Sequence, residues 1–512
     1  MPSRMPRLFL LASLVLILAG CASTAAQRPH PQVLNWGIAG EVDVPTLDPA
    51  LVSDPTSISV ASLVYGGLVG LDSRLQVVPD GASRWQVSPN GRVYTFFIRH
   101  HLRFANGRPV TASDFAAALE RALGPEGASG TGTFYLNLIR GASTGRPSRG
   151  IQVVNRMTLR ITLVHPASHF LVELAFPASY VPEPTLLKNP GSGWTDHAAG
   201  FGPYQVSQWQ HSKVLVLRPN PYYYAGRPRL HRIRITFYQQ PGDAIAAYRQ
   251  GKLDLVSGLQ PGTTLPATPG LQRVPALALD YIAFNTARAP FSRIEARRAF
   301  ASVDTTRLAA QTMGRSAFPT GNLVPNSWNI KAQAERVPAS GRALLAHVPN
   351  AGRLLIFVAP RDPQITRLAH ALVQAWQAAL GVHIVYRPLN ASNYEFVLNK
   401  HAFDLALVRW GGDYSDPQDF LGTQLGASPD NITSWSAHHF DHLVAEADTL
   451  PAASPRRTTL YREAAAEASR RLPILPADQP AQVALIAPGL KGVSLTPLGT
   501  ISAVWPRTHF AN

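Results

Sequence analysis

Three aspartates stand at three-residue spacing in RWGGDYSDPQDF, residues 409–420: Asp413, Asp416 and Asp419. Such a set could hold a divalent cation, share a proton as an acid–base pair, or cap a helix. A cation site needs more ligands, and the stretch holds no histidine or cysteine. Asp416 precedes Pro417, with Phe420, Leu421 and Leu425 behind it. This predicts a helix start: Asp416 as N-cap, Pro417 at the first position, and Asp419 as the acid of a capping box. Asp413 has no such local use. It follows Trp410-Gly411-Gly412 and precedes Tyr414 at the end of an apolar run. Two glycines permit close backbone approach, and the indole offers an apolar wall. A carboxylate there suits a cationic group; the competing reading is a structural salt bridge to an arginine.

Other chemistry-bearing patterns are weaker. Gly141-Ala-Ser143-Thr-Gly145 matches a nucleophile elbow, but Arg-Pro-Ser-Arg-Gly follows where that motif needs a helix. His165 and His169 have metal-ligand spacing, with Pro166 between them to break a helix. His438–His439 reads as a solvated helix start, and Asn431-Ile-Thr433 as a glycosylation sequon. No cofactor and no metal are expected.

The elements that must position Asp413 are clearest over residues 353–410. RLLIFVA (353–359) reads as a strand. Asp362 and Pro363 then start a helix whose Ile365, Leu368, Leu372, Trp376 and Leu380 share one face, with Gly381 ending it. VHIVYRPL (382–389) is a second strand, 393–400 a short helix, and FDLALVRW (403–410) a third strand apolar on both faces. This alternation predicts a parallel sheet and an α/β fold. Asp413 then falls just beyond a strand's C-terminal end, where open α/β sheets keep their ligand crevice. The first half is richer in alternating strands. Thr111 or Ser113 is expected to cap a helix over 114–123, and Leu253–Gly258 to form a strand after a helix ending at Gly251.

The chain has 512 residues, 46% hydrophobic and 15% charged, enough for about three domains with their own cores. Its net charge is +16, yet the arginines are scattered singly or in pairs, with no dense basic stretch interleaved with aromatics. That pattern argues against nucleic acid and suits a surface beside anionic lipid headgroups. Arg4 and Arg7 precede the apolar run LFLLASLVLILAG (8–20), which is short for a membrane span. It ends in LAGC at Cys21, the only cysteine. The junction resembles a bacterial lipobox, which implies cleavage before Cys21 and lipidation of its thiol. Residues 1–20 are then a leader, and 21–32 a tether of small residues and proline. A bacterial lipoprotein is not expected to use the sequon, and Ala22 would permit sorting to an outer membrane.

VPTLDPALVSD (44–54) with LVYGGLVGLD (63–72) resembles the oligopeptide- and dipeptide-binding proteins of bacterial ABC importers, the family 5 extracellular solute-binding proteins. Further similar segments are YTFFIRHHLRFANGRPVTASDF (94–115), GFGPYQVSQW (200–209), LRPNPYYY (217–224), YIAFNTARAPF (281–291), residues 379–421 and 472–493, in order, over about 33–505. The resemblance implies a three-domain periplasmic-binding-protein fold with two lobes closing over a cleft. Domain I would comprise 33–65, 185–283 and 480–512, domain II 66–184, and domain III 284–479. It implies capture of short peptides by a monomer that delivers them to ABC permease subunits from a lipid anchor in the cell envelope, without catalysis. In peptide-binding members an aspartate at the GDY position pairs with the peptide α-ammonium, and Asp413 matches it. Trp410, Gly411, Gly412, Tyr414, Ser53, Asp54, Tyr281 and Asn285 are carried over as cleft residues; the Gly411-Gly412 pair departs from the bulkier residue often found there. The same scaffold could instead take a nickel chelate, sugar, opine or haem. An envelope hydrolase using Ser143, or a scaffold without transport, are the remaining readings.

Overall fold

The computed structural model describes residues 32–127, 130–142, 148–188, 193–263, 265–328, 330–331 and 340–511. The leader, Cys21, nearly all of the tether, and Ser143 lie outside the described residues.

The alternating unit forms as its pattern predicts. Strands Leu354–Pro360 and His383–Leu389 pair in parallel, and Leu405–Gly411 joins Leu354–Pro360 in parallel on its other side. Between them runs the helix Pro363–Leu380, with Asp362 accepting from the Gln364 and Ile365 amides and Gly381 left-handed at its end. Its five spaced apolar side chains are all buried, each contributing about 1.5–3 kcal/mol. The shorter helix is Ala391–Asn399, and the strand after Gly251 is Leu255–Ser257. Thr111 caps Ala112–Leu123 in a capping box with Asp114, which resolves the choice between Thr111 and Ser113.

These strands belong to a twelve-stranded mixed sheet. From Leu405–Gly411 it continues antiparallel to Ala278–Phe284 and then to Ile474–Ile486. Beyond come Leu255–Ser257, Val33–Ala39, Arg232–Tyr238, Val214–Pro219 and Tyr204–Gln210. Ile474–Ile486 is buried throughout. Its first half pairs with Ala278–Phe284 and Ala317–Pro319, its second with Leu271–Pro275 and Leu255–Ser257. One long strand thus links four apolar cores: Ile474 packs with Val408, Ala477 with Phe357 and Trp376, Ala484 and Ile486 with Trp36, and Val483 and Leu485 with Ala244 and Val256.

A separate four-stranded antiparallel sheet, in the order Ala82–Val87, Val93–Ile98, Thr158–Thr162, Ile151–Asn155, packs with Ala112–Leu123 over Phe96, Phe104, Phe115 and Phe170. Tyr414, from the aspartate turn, is buried in this core. The turn is therefore pinned between the large sheet and the small one.

Candidate functional site

The Leu405–Gly411 strand presents alternate residues to opposite cores: Leu405 and Leu407 to one, Ala406 and Val408 to the other. Its end delivers Trp410 half-buried and Gly411 exposed. A Cβ on Gly411 would meet open space. A Cβ on Gly412 would lie 2.8 Å from Leu277 Cγ and 2.9 Å from Asp419 Oδ2, so only glycine passes there without displacing a neighbour. The Gly412 amide donates to the Leu277 carbonyl at 2.7 Å, fixing the chain as it leaves the sheet.

The helix start forms at Pro417–Leu421, with Asp416 as N-cap accepting from the Gln418 amide. The capping-box expectation for Asp419 is corrected. Its Oδ2 accepts from the amide of Asp413 at 3.1 Å instead, reaching back past the cap. The cause is the path of the chain: Tyr414 turns inward and brings residue 413 over the first helical turn. Asp419 is therefore the residue that orients Asp413. Burial pushes its carboxyl well above the ordinary range, with the Asp413 charge adding to the shift and the donated amide opposing it. The Trp410 indole N–H also favours its ionised form, although it does not reach hydrogen-bond geometry.

Asp413 itself is solvent-exposed, yet desolvation raises its pKa, and the Asp430 charge adds to the effect. The residue is thus exposed while its carboxylate is partly desolvated. No ion pair reaches it among the described residues, so the salt-bridge alternative is not what the fold builds. Its carbonyl accepts from the Tyr135 hydroxyl at 3.2 Å. Tyr135 lies on the short helix Gly132–Leu136, one turn from Thr131, whose hydroxyl donates to the Val52 carbonyl at 2.8 Å. One helical turn advances about 5.4 Å. The 52–54 loop and the Asp413 turn are thus tethered to the same short helix.

The other carried-over residues divide. Ser53 is exposed beside Val52. Asp54 caps the helix Pro55–Val64, its Oδ1 accepting from the Ser57 amide at 2.8 Å, so its carboxylate is engaged structurally. It also raises the pKa of Glu41, secondary to burial. Tyr281 is buried in the core shared with Leu279 and Val408, on the sheet face that Trp410 packs against. Asn285 does not serve a ligand: its amide donates to the His401 and Phe403 carbonyls and its oxygen accepts from the Ala287 amide, so every group is consumed in holding a loop. Tyr414 is also corrected. Its ring stacks on His169 with centroids 5.4 Å apart, and its hydroxyl meets Gln418, which makes it a buried wedge.

Sequence reasoning did not find what stands behind this wedge. Arg457 donates to both oxygens of Asp416 at 2.7 Å and to the Tyr461 hydroxyl at 2.9 Å, all buried. His169 is pushed down to about 4 by burial, and Asp448 up to about 7 by burial, opposed by the Tyr461 hydroxyl. Glu173, buried beside His169, is raised far above its ordinary range by desolvation, with Asp416 and Asp419 adding to it. Arg457 is the cation that this acidic surround leans on. Asn431, of the sequon, is buried and donates to the Leu425 and Trp435 carbonyls. Nor was Tyr135 anticipated; the only available sign was its aromatic neighbour Phe134 in a loop-like segment.

A cavity of about 430 Å³ lies nearby, walled by Phe176, Tyr180, Tyr223, Tyr224 and Trp505, with Asp80 among its polar groups. Burial raises Asp80 to about 6, opposed by the Tyr224 hydroxyl at 2.8 Å and the Gly67 amide. Neither Asp413 nor Trp410 lines this cavity. The link is Phe176, which stacks on Tyr135 at 4.7 Å while Tyr135 holds the Asp413 carbonyl.

With this geometry in hand, the chain can be set beside known proteins. A model of the bacterial extracellular solute-binding proteins, family 5 (middle region), matches residues 76–431. The periplasmic murein peptide-binding protein of Escherichia coli is 25% identical over 474 residues, covering 87% of this chain and 88% of that protein. The E. coli "probable deoxycholate-binding periplasmic protein" is 27% identical over 483 residues, covering 88% and 89%. Among solved structures, the murein tripeptide-binding protein in its unliganded open form superposes with a TM-score of 0.81 at 24% identity, covering 94% of this chain and 98% of that one. The Haemophilus influenzae oligopeptide-binding protein in complex with the peptide RPPGFSPFR superposes with a TM-score of 0.69 at 19% identity, covering 94% and 99%.

Proposed function

Because this chain belongs to the bacterial extracellular solute-binding proteins of family 5, we propose that it captures short peptides at the Asp413 crevice and delivers them to an ABC permease, held to the membrane through Cys21. The observation that carries the peptide reading is Asp413. It is an exposed, partly desolvated carboxylate without an ion-pair partner among the described residues, held by its own backbone at both ends. Such a group is complementary to an α-ammonium. A charge-assisted hydrogen bond of that kind contributes about 1.5–3 kcal/mol, or roughly one to two decades of affinity. Ser53 and the open space over Gly411 leave room for an extended main chain, and Trp410 offers an apolar side-chain wall. The reading assigns the protein no catalytic step. Two lobes, built on the two halves of the large sheet, close over the ligand about the strands that join them.

A second reading keeps the scaffold and takes a non-peptide amphipathic ligand. It is favoured by the aromatic walls of the 430 Å³ cavity and by the relative named for deoxycholate. Mass spectrometry of ligand released from protein purified from its native host separates the two. Short peptides of mixed sequence are expected; one defined small molecule would replace the peptide reading by the second.

A further inference from the structure

Asp280 and Asp478 are fully buried and sit opposite each other on paired strands, Ala278–Phe284 and Ile474–Ile486. Both strands lie where the sheet passes from one core to the next. Leu271, earlier in the chain than Asp280, packs with Val483 and Leu485, whereas Ile282 packs with Phe357. In the proposed closure of the two lobes, on which this inference rests, bending of one half of the sheet against the other is borne by these two strands.

The two carboxyl groups are not equivalent. Arg409, from Leu405–Gly411, donates Nε to Asp280 Oδ1 and Nη2 to Asp280 Oδ2, both at 2.7 Å. Asp280 is thereby a fully paired anion. Among the described residues Asp478 has no donor on either oxygen, and both oxygens are buried. The residue directly across the strand pair from it is Asp280, whose carboxyl group is equally buried. Two carboxylates repel, and neither can donate; a bond between them requires a proton.

We propose that Asp280 and Asp478 share a single proton across the strand crossing, forming a pH-sensitive lock on the part of the sheet that must bend. Asp478 carries the proton and donates it to the Asp280 carboxylate, whose remaining lone pairs accept from Arg409. Burial pushes Asp478 from 3.8 up to about 8, the Asp280 charge adds to the shift, and Arg409 opposes it. The other packed elements bring little that competes. Ala317–Pro319 carries no titratable group, and Arg307 on Thr305–Met313 is exposed. On Leu271–Pro275, Arg273 is stacked over the Phe318 ring and bonded to the Arg315 carbonyl. Asp362, at the start of Pro363–Leu380, acts on Arg409 and strengthens its charge.

The sign follows from linkage. The folded pKa is raised, so the folded state holds a proton that the unfolded chain gives up above pH 3.8. The contribution is full below that pH, falls as pH rises, and is gone once pH passes about 8. Asp478→Asn places an amide donor against Asp280 and has no proton to lose. In urea unfolding, the folding constant of the variant should gain on wild type by about tenfold per pH unit between about 4 and 8. Equal pH slopes for the two proteins would overturn the proposal. Should Asp478→Asn fail to fold, Asp280→Asn tests the same proton: Asp478 then ionises against Arg409, and the wild-type slope must disappear; a slope unchanged from wild type refutes the shared proton. Neither measurement involves a ligand, so failure here leaves the peptide reading untouched.

Discussion

Asp413 owes its availability to the residue six positions after it. In sequence the two aspartates look alike, and both fall on a regular spacing with Asp416. In the fold Asp419 spends its carboxylate on the Asp413 amide, while the Asp413 carboxylate is left facing solvent. Asp413 can be singled out in the sequence by exclusion, because Asp416 and Asp419 both read there as the start of a helix, a reading the fold keeps for Asp416 alone. The true work of Asp419 cannot be read there, since a capping box and a backward reach to residue 413 share the same local pattern. Tyr414 and Asn285 mislead for a related reason: a polar or aromatic residue beside a ligand and one wedged into a core carry the same letter. Gly412 separates these cases by experiment. Its Cβ would press on Leu277 Cγ and Asp419 Oδ2, so Gly412→Ala is expected to lose about 1–3 kcal/mol of stability in chemical denaturation. Gly411→Ala, facing open space, is expected to stay within about 0.5 kcal/mol of wild type.

At the scale of elements, period and capping make the Pro363–Leu380 unit readable almost to the residue, because every signal there is local. The five-residue helix Pro417–Leu421 is too short to stand on propensity. It is held from a distance: Arg457, 41 positions away on Pro455–Arg471, closes on the Asp416 carboxylate with both partners buried. No spacing rule connects these positions, so this anchor is invisible in the sequence. Asp416→Ala removes the cap and leaves a buried guanidinium without its anion. A loss of about 3–5 kcal/mol is expected, read as a lowered unfolding midpoint. Asp416→Ala combined with Arg457→Met should recover a large part of it, since the stranded charge is gone. A double variant as unstable as the single one would show that the pair is not the anchor.

For the whole molecule, the α/β class and the parallel unit are legible in the sequence, but the continuity of the large sheet is not. Ile474–Ile486 reads as an apolar run with Pro, Asp and Gln inside it, and only pairing on both sides shows that it joins the cores of both halves of the sheet. The net charge of +16 also misleads locally, because Asp413 and Asp430 have no ion-pair partner among the described residues. A basic chain with an unpaired Asp413 carboxylate is what the proposed peptide receptor would use to receive the amino end of its cargo. Titration calorimetry tests this most directly, with one short peptide, free and N-acetylated, run against the wild-type protein and Asp413→Asn. The free peptide should lose about ten- to a hundredfold in affinity on the variant, while the weaker N-acetylated peptide should bind both proteins alike. Free and acetylated peptides binding wild type and variant with one common affinity would contradict the role of Asp413.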